Sequence, residues 1–304
     1  MIWGRLAPPA TMGGMTASPW FASPDEAASR LHAAGYLPDP ASATTSYLAG
    51  ALEKPLLVEG PAGVGKTELA KAVARACGAD LVRLQCYEGL DEARALYEWN
   101  YRKQLLRIQA AGGSETWEQA HDDIFAEEFL LARPLLTAIR RDEPTVLLID
   151  EIDKADVEVE GLLLEVLSDF QVTIPELGTV TATRRPFVVL TSNATRELSE
   201  AVKRRCLYLH LDYPDVERER EIVTAQVPEL DRHIASQLVE TVARVRELEL
   251  KKAPSIAESV DWARTLVALE IGDLDERAIA ETLGVILKHR SDHERAVKEL
   301  RLRS

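Results

Sequence analysis

The feature that most constrains the fold is a glycine-rich run that joins an apolar segment to a helical pattern. Residues Gly60–Thr67 match G-x-x-x-x-G-K-[ST], the phosphate-binding P-loop. The segment Pro55–Val58 before it is short and apolar, as in a buried strand. Glu68–Cys77 after it has helical periodicity and stops at Gly78. This order of strand, glycine loop and helix predicts an α/β fold with a phosphate site at the start of the helix.

Each position of the loop has a contact that its chemistry predicts. The glycines let backbone N–H groups surround phosphate oxygens, and the helix dipole favours negative charge there. Lys66 is expected to reach the β- and γ-phosphates of ATP, and the Thr67 hydroxyl to ligate Mg²⁺. The alternative is an ordinary helix start that happens to be rich in glycine. The predicted nucleotide-binding residues are Gly60, Pro61, Ala62, Gly63, Val64, Gly65, Lys66, Thr67 and Glu68.

The composition narrows the classes of partner. The chain has 304 residues and a formal net charge of −14, which opposes a broad surface for nucleic acid or for an anionic membrane. No apolar run approaches the ~18–20 residues of a membrane span. The three cysteines form no C-x-x-C pair, and the six histidines have no metal-ligand spacing. We therefore expect a cytoplasmic protein without disulfides, structural zinc or a general affinity for nucleic acid.

Strand-like segments alternate with helical ones up to residue 213. This alternation predicts an αβα core around a parallel sheet. Residues 91–141 have a mostly helical pattern, with a break near residues 111–113 and a bend at Pro134. Further strands are predicted at residues 81–85, 145–149, 187–191 and 207–211.

The chain changes character twice more. Residues 171–183 alternate with period two on both sides of a Pro-Glu-Leu-Gly turn, which predicts an inserted β-hairpin. Beyond Pro214 every segment has helical periodicity. We therefore predict a disordered N-terminal extension (residues 1–22), an αβα P-loop core (residues 23–213) and an all-helical C-terminal domain, or lid (residues 214–304).

Two acids follow the apolar run Val146–Ile149. A buried parallel strand places Asp150 and Glu151 at the carboxyl edge of the sheet, where ligands bind in open α/β folds. We assign Asp150 to Mg²⁺ and Glu151 to the general base that activates the attacking water. The alternative for such a pair is a strand that ends in solvated acids.

Two more polar positions have open interpretations. Asn193 follows the strand at residues 187–191 and is placed to orient the attacking water, although asparagine is equally favoured in turns. The run Lys203-Arg204-Arg205 offers an arginine that can stabilise charge on the γ-phosphate, from the same molecule or a neighbouring one. A solvated basic helix end is the other interpretation.

Taken in order, these motifs resemble those of the AAA+ ATPases, and within them the MoxR family, over residues 53–262. Gly60–Thr67 resembles the Walker A motif, Leu147–Asp153 resembles Walker B, and Asn193 matches sensor 1. Ser199–Cys206 is similar to the segment that carries the arginine finger, which makes Arg205 the finger. Arg204 then stands where many members have an acid, so the choice between the two arginines is open.

The resemblance also implies a function. The segments Leu84–Asp91 and Glu128–Leu136 look most like the branch named for CoxD, which is associated with maturing the metal cofactor of aerobic carbon monoxide dehydrogenase-type enzymes. By this resemblance the protein is an ATP-hydrolysing, chaperone-like remodeller that forms a homo-oligomeric ring, a hexamer by family precedent. Its expected cofactors are ATP and Mg²⁺. Its expected partners are a metalloenzyme client and a protein with a von Willebrand factor A domain.

One departure from the family keeps two other functions open. Members usually carry a sensor 2 arginine in a Ser-Pro-Arg segment, whereas Ala253–Glu258 has no arginine at that place. Either Arg264 replaces it, or the lid senses nucleotide weakly. A regulatory module that binds nucleotide with little turnover is therefore one alternative. A nucleic-acid motor is the other, and the net charge of −14 opposes it.

Overall fold

The computed structural model describes residues 20–111 and 124–300. In chain order the strands are β1 (Leu56–Glu59), β2 (Asp80–Gln85), β3 (Tyr97–Trp99), β4 (Leu130–Ala132), β5 (Thr145–Asp150), β6 (Gln171–Ile174), β7 (Gly178–Thr181), β8 (Phe187–Ser192) and β9 (Leu207–His210). The helices are α1 (Pro24–Ala33), α2 (Pro40–Leu52), α3 (Lys66–Cys77), α4 (Glu92–Ala95), α5 (Tyr101–Ala111), α6 (Pro134–Arg140), α7 (Val157–Asp169), α8 (Glu200–Arg205), α9 (Val216–Gln226), α10 (Arg232–Arg246), α11 (Ile256–Ala268), α12 (Glu276–Thr282) and α13 (Arg290–Glu299).

The core is a five-stranded sheet in the order β2-β5-β8-β1-β9, in which every neighbouring pair is parallel. All residues of β5 and β8 are buried, as expected for central strands covered by helices on both faces. The predicted α/β class with a parallel sheet is therefore confirmed. Because the strands are parallel, the carboxyl ends of β1, β5 and β8 meet at one edge of the sheet, and the candidate site residues follow these ends.

The prediction of a mostly helical segment over residues 91–141 is wrong in two places. β3 and β4 form an antiparallel pair that the helical pattern does not indicate. Pro134 does not bend a helix but begins α6, because its fixed φ and missing N–H suit the first turn. The predicted break near residues 111–113 lies almost entirely outside the described residues. In the segment where a hairpin is predicted, β6 and β7 form an antiparallel pair.

The predicted disordered extension, residues 1–22, lies outside the described residues except for its last three. Trp20 and Phe21 are buried, so these residues of the predicted extension are ordered. The ring of Trp20 packs edge-on against that of Phe187, with the ring centroids 5.3 Å apart. The backbone carbonyl oxygen of Trp20 accepts a hydrogen bond from Arg30. Two buried aromatic rings bring enough apolar area to hold this segment on the core.

After β9, the described residues up to 300 contain helices and no strand. We call residues 216–300 the C-terminal helices. They bury an apolar cluster of their own around Trp262, whose indole N–H donates to Thr282 Oγ1 at 2.7 Å. Within the described part of the chain, no helix is both long enough and apolar enough to cross a membrane.

Candidate functional site

The glycine loop after β1 has a backbone that other residues would not adopt without strain. Gly60 has a φ of 154°, and a Cβ atom there would lie 1.9 Å from the carbonyl oxygen of Leu211. Gly63 has a φ of 77°, and a Cβ atom there would lie 2.3 Å from the Cβ of Ser255. These glycines therefore allow the loop to pass closely between the sheet edge and the start of α11.

Lys66 begins α3 and points into the loop that precedes it. Its ammonium group donates to the carbonyl oxygens of Gly60 at 2.7 Å and Pro61 at 2.6 Å. A third hydrogen bond, 2.8 Å long, reaches Asn193 Oδ1 beyond the end of β8. Burial lowers the pKa of Lys66, while Asp153 and Asp150 act in the opposite direction. Lys66 thus connects the loop to Asn193 across the sheet edge.

Asp150 is the last residue of β5, and its carboxylate accepts three hydrogen bonds. Thr67 Oγ1 donates to Oδ1 at 3.0 Å, and Thr191 Oγ1 donates to the same oxygen at 2.5 Å. The guanidinium of Arg83 donates to Oδ2 at 2.5 Å. The carboxylate and the Thr67 hydroxyl therefore lie side by side, as the sequence predicts.

Glu151 adopts a left-handed backbone with a φ of 57°, which is uncommon for a non-glycine residue. Its backbone N–H donates to Thr191 Oγ1 at 2.9 Å. Its carboxylate accepts from Gln85 at 2.8 Å, from Lys154 at 2.7 Å and from Asn193 Nδ2 at 3.5 Å. The carboxylate is therefore held facing the loop, close to Asn193.

Three residues of this site, Arg83, Gln85 and Thr191, are not singled out by the sequence motifs. Arg83 and Gln85 lie on one face of β2, and β2 pairs with β5 so that Gln85 stands opposite Asp150. The signal is the alternation along β2, with Val82 and Leu84 against the core and the polar residues opposite. This alternation identifies Arg83 and Gln85 as site residues only once β2 is known to neighbour β5.

The site opens into a cavity of 1340 Å³. Its walls are the segment before α2, the glycine loop, the sheet edge and the helices α9 and α11. Arg218 and Arg264 also line the cavity. The Arg264 side chain is 58% exposed, and its Nη1 lies 3.5 Å from Asp261 Oδ1. The cavity is large enough for a nucleotide, because ligand pockets are commonly ~300–1,000 Å³.

Arg204 and Arg205 do not line this cavity. Both end α8, which leads into β9 at the edge of the sheet. Arg205 Nε donates to Ser168 Oγ at 2.7 Å, and its Nη1 donates to the carbonyl of Ala201 at 3.1 Å. The structure thus brings together the predicted loop, the two acids and Asn193, and places the arginine pair elsewhere.

The residues present fit a magnesium–nucleotide complex. A side chain at Gly60 would collide with Leu211 and one at Gly63 with Ser255, so glycine is needed at both positions for this loop conformation, whose backbone N–H groups can donate to phosphate oxygens. Thr67 and Asp150 offer hydroxyl and carboxylate oxygens, which Mg²⁺ prefers. Mg²⁺ is typically held by one or two such protein oxygens together with substrate phosphates and water.

Comparison with known proteins gives a consistent picture. The profile of the family described as ATPase family associated with various cellular activities (AAA) matches residues 56–211, half of the chain. An uncharacterized protein of Staphylococcus haemolyticus is 27% identical over 244 residues, which cover 76% of this chain and 84% of that protein. Protein NorQ of Paracoccus denitrificans is 26% identical over 221 residues, covering 70% of this chain and 73% of NorQ.

A shorter match involves a chaperone. Chaperone protein ClpB 2 of Parasynechococcus marenigrum is 36% identical over 137 residues, which cover 44% of this chain and 13% of ClpB 2. The similarity to this much longer protein is therefore confined to part of the chain.

Proposed function

This chain belongs to the AAA family of ATPases, and from that premise we propose that it binds ATP with Mg²⁺ in the cavity and hydrolyses it. The observation that carries the proposal is the convergence of Lys66, Thr67, Asp150, Glu151 and Asn193 at one sheet edge. Such a set supplies a phosphate cradle, a metal position and a base within one site.

The binding residues have distinct roles in this proposal. Residues 60–68 surround the phosphates with backbone N–H groups, and Lys66 neutralises charge on the β- and γ-phosphates. Thr67 and Asp150 hold Mg²⁺, which supplies charge neutralisation on the phosphate oxygens. The ammonium group of Lys66 donates to the carbonyl oxygens of Gly60 and Pro61, and it can exchange these acceptors for phosphate oxygens.

The catalytic step depends on Glu151 and Asn193. Glu151 accepts the proton of the attacking water, and its contacts with Gln85 and Lys154 hold the carboxylate in place. Asn193 lies between Lys66 and Glu151, so its amide is placed to orient that water beside the γ-phosphate. Each role needs only side chains that already contact one another.

We further propose that Arg205 acts as an arginine finger on a neighbouring copy of this chain. Its position outside the cavity supports an action in trans, which requires a homo-oligomeric ring, by family precedent a hexamer. In this proposal residues 23–213 form the ATPase core and residues 214–304 the lid domain. Arg264 lines the cavity from the C-terminal helices and takes the place of the sensor 2 arginine.

The wider proposal is a chaperone-like remodeller that works in the cytoplasm. The similarity to ClpB 2, a protein named as a chaperone, supports the remodelling of client proteins. The similarity to NorQ adds to the resemblance between the sequence motifs and those of the MoxR family. We propose two partners from the family resemblance. One is a metalloenzyme client of the kind associated with the CoxD branch, and the other is a protein with a von Willebrand factor A domain. Co-purification from the native host, followed by identification of the retained proteins, tests both partners.

Phosphate release from ATP tests the core of the proposal. The wild type should release phosphate in the presence of Mg²⁺, and Lys66→Ala should lose both ATP binding and turnover. Lys288→Ala is the matched control, because Lys288 is exposed and does not line the cavity. Equal turnover in Lys66→Ala and wild type would contradict the proposed site.

A regulatory module that binds nucleotide with little turnover is the second candidate. It is favoured by the absence of an arginine from the segment in which the family carries sensor 2. Ser255 in that segment caps α11 and packs on Gly63. The intact Glu151 site favours hydrolysis. A third candidate, a nucleic-acid motor, would show ATPase stimulation by DNA or RNA at low salt, and the net charge of −14 predicts none.

A further inference from the structure

Arg83 lies at the proposed metal position without belonging to any of the motifs. It stands on β2, and its guanidinium contacts Asp150 Oδ2 at 2.5 Å, while the two threonine hydroxyls occupy Oδ1. The Asp150 side chain is only 4% exposed, whereas the Arg83 side chain is 49% exposed and lines the cavity. A half-exposed cation therefore covers a buried carboxylate.

The two acids at this edge of the sheet each have a cationic partner without a metal. Arg83 pairs with Asp150, and Lys154 pairs with Glu151 at 2.7 Å. Lys66 points to Asn193 instead of to either acid. Burying a carboxylate without a charged partner is strongly unfavourable, and Arg83 is the cation that contacts the buried Asp150.

We propose that Arg83 is a displaceable counter-ion: it neutralises Asp150 while no metal is bound and yields that carboxylate to Mg²⁺. The role rests on the proposed function, because it requires that Asp150 hold the metal of a bound nucleotide. Arg83 competes with the metal by charge, since two cations at one carboxylate repel each other. Thr67 and Thr191, being uncharged, do not compete in this way.

The geometry allows the exchange. Besides Asp150, the guanidinium of Arg83 contacts the uncharged side chain of Gln85 on the same strand. Arg83 lines the cavity and about half of its side chain is exposed, so the guanidinium can leave Asp150 without disturbing the core. Once released, the guanidinium can be solvated in the open cavity, where about half of the side chain is already exposed, so leaving the carboxylate does not bury an unpaired charge.

Two measurable effects follow for Arg83→Gln. Without metal, ATP should bind more weakly than to wild type, because the unneutralised Asp150 repels its phosphates. The concentration of Mg²⁺ that gives half-maximal nucleotide binding should fall, because no guanidinium has to be displaced. Together these changes should raise the ratio of the metal-free Kd to the Mg²⁺-saturated Kd by about tenfold, the scale of one charge-assisted hydrogen bond.

The experiment uses the full chain and the fluorescent nucleotide N-methylanthraniloyl-ATP. Its Kd is measured in EDTA and at saturating Mg²⁺, and the Mg²⁺ midpoint is taken from a titration at fixed nucleotide. Arg83→Lys, which keeps the positive charge, should restore the ratio to within about threefold of wild type. An unchanged ratio in Arg83→Gln would overturn the counter-ion role.

Two controls separate this role from other effects. Arg94→Gln removes the same charge from an exposed arginine outside the cavity, and an equal shift there would overturn the proposal in favour of long-range charge. In an Asp150→Asn background, Arg83→Gln should leave the metal-free Kd unchanged, and a persisting effect would also overturn it. If wild type binds no nucleotide with Mg²⁺, the proposed function itself is refuted, and the counter-ion role with it.

Discussion

Thr191 illustrates how single residues hold the two acids of the site in register. Its buried hydroxyl donates to Asp150 Oδ1 at 2.5 Å and accepts from the backbone N–H of Glu151 at 2.9 Å. One hydroxyl on β8 therefore fixes the end of β5 and the left-handed turn at Glu151. Because Glu151 holds that uncommon backbone, the hydrogen bond to its N–H is a direct constraint on where its carboxylate points.

Replacing Thr191 by valine should therefore affect both folding and turnover. The variant keeps the side-chain shape but leaves the Glu151 N–H without its acceptor, which costs about 1–3 kcal/mol of unfolding free energy. We expect ATPase turnover to fall about tenfold as Glu151 loses its fixed position. Denaturant unfolding and steady-state phosphate release measure the two effects.

Thr195→Val is the matched control for this variant. Thr195 Oγ1 donates to Asp153 Oδ2 at 2.5 Å and contacts neither Asp150 nor Glu151. We expect it to lower stability while leaving turnover within about threefold of wild type. A stability loss in Thr191→Val with unchanged turnover would assign Thr191 a purely structural role.

At this scale the sequence predicts the residues that belong to a motif or directly follow a predicted strand, as Asn193 does. Lys66, Thr67, Asp150 and Glu151 come together as expected, because the P-loop and the acidic strand end each carry their own geometry. Arg83 reaches the site only through strand order. Long-range packing decides that β2 lies beside β5, and the spacing of residues along the chain does not predict it.

Among the elements, the C-terminal helices contain a buried ion pair that sets the position of the chain touching the glycine loop. Glu219 on α9 and Arg246 on α10 form a bidentate pair, with one contact at 2.9 Å. Arg246 also donates to the carbonyl of Pro254 at 2.8 Å, directly before Ser255. Since Ser255 packs on Gly63, the pair links these helices to the loop.

Arg246→Met should destabilise the protein strongly. Removing one partner leaves Glu219, only 1% exposed, as an uncompensated buried charge, and such changes cost about 3–5 kcal/mol. The exposed pair Arg277–Glu281 offers the control, because Arg277→Ala should leave the unfolding midpoint without measurable change. Denaturant unfolding of both variants makes the comparison, and equal midpoints would contradict the structural role of Arg246.

Element prediction from the sequence succeeds where burial dominates and fails where it does not. β5 and β8 are continuous apolar runs bounded by polar residues, which is typical of central parallel strands. β3 and β4 have three residues each, too few for a period of two to be visible. Their pairing depends on a contact across about thirty residues of chain, which local patterns do not encode.

For the whole molecule, the separation between the cavity and Arg205 is the most consequential feature. Glu151 and the loop line the cavity, whereas Arg205 ends α8 outside it. A ring would bring the finger of one subunit to the cavity of the next. The number of active sites would then depend on neighbours, and so would the response to mixed variants.

Mixing two inactive variants tests this arrangement. Arg205→Ala subunits keep the nucleotide site, and Lys66→Ala subunits keep the finger. In random one-to-one rings, about a quarter of all sites would combine an intact loop with an intact neighbouring finger, so about a quarter of wild-type ATPase should return. Assembled mixed rings that show no rescue would refute the action in trans. If Arg205 is the finger, Arg204→Ala alone should keep most of its ATPase, and a loss as large as that of Arg205→Ala would contradict this choice.

The central claim is that this chain hydrolyses ATP with Glu151 as the base, and Glu151→Gln tests it most directly. The amide keeps the size of the side chain and one acceptor oxygen but cannot accept the proton. Steady-state phosphate release should fall about 10²–10⁴-fold, while ATP affinity in the presence of Mg²⁺ stays within a few-fold of wild type. Turnover indistinguishable between Glu151→Gln and wild type would contradict the account.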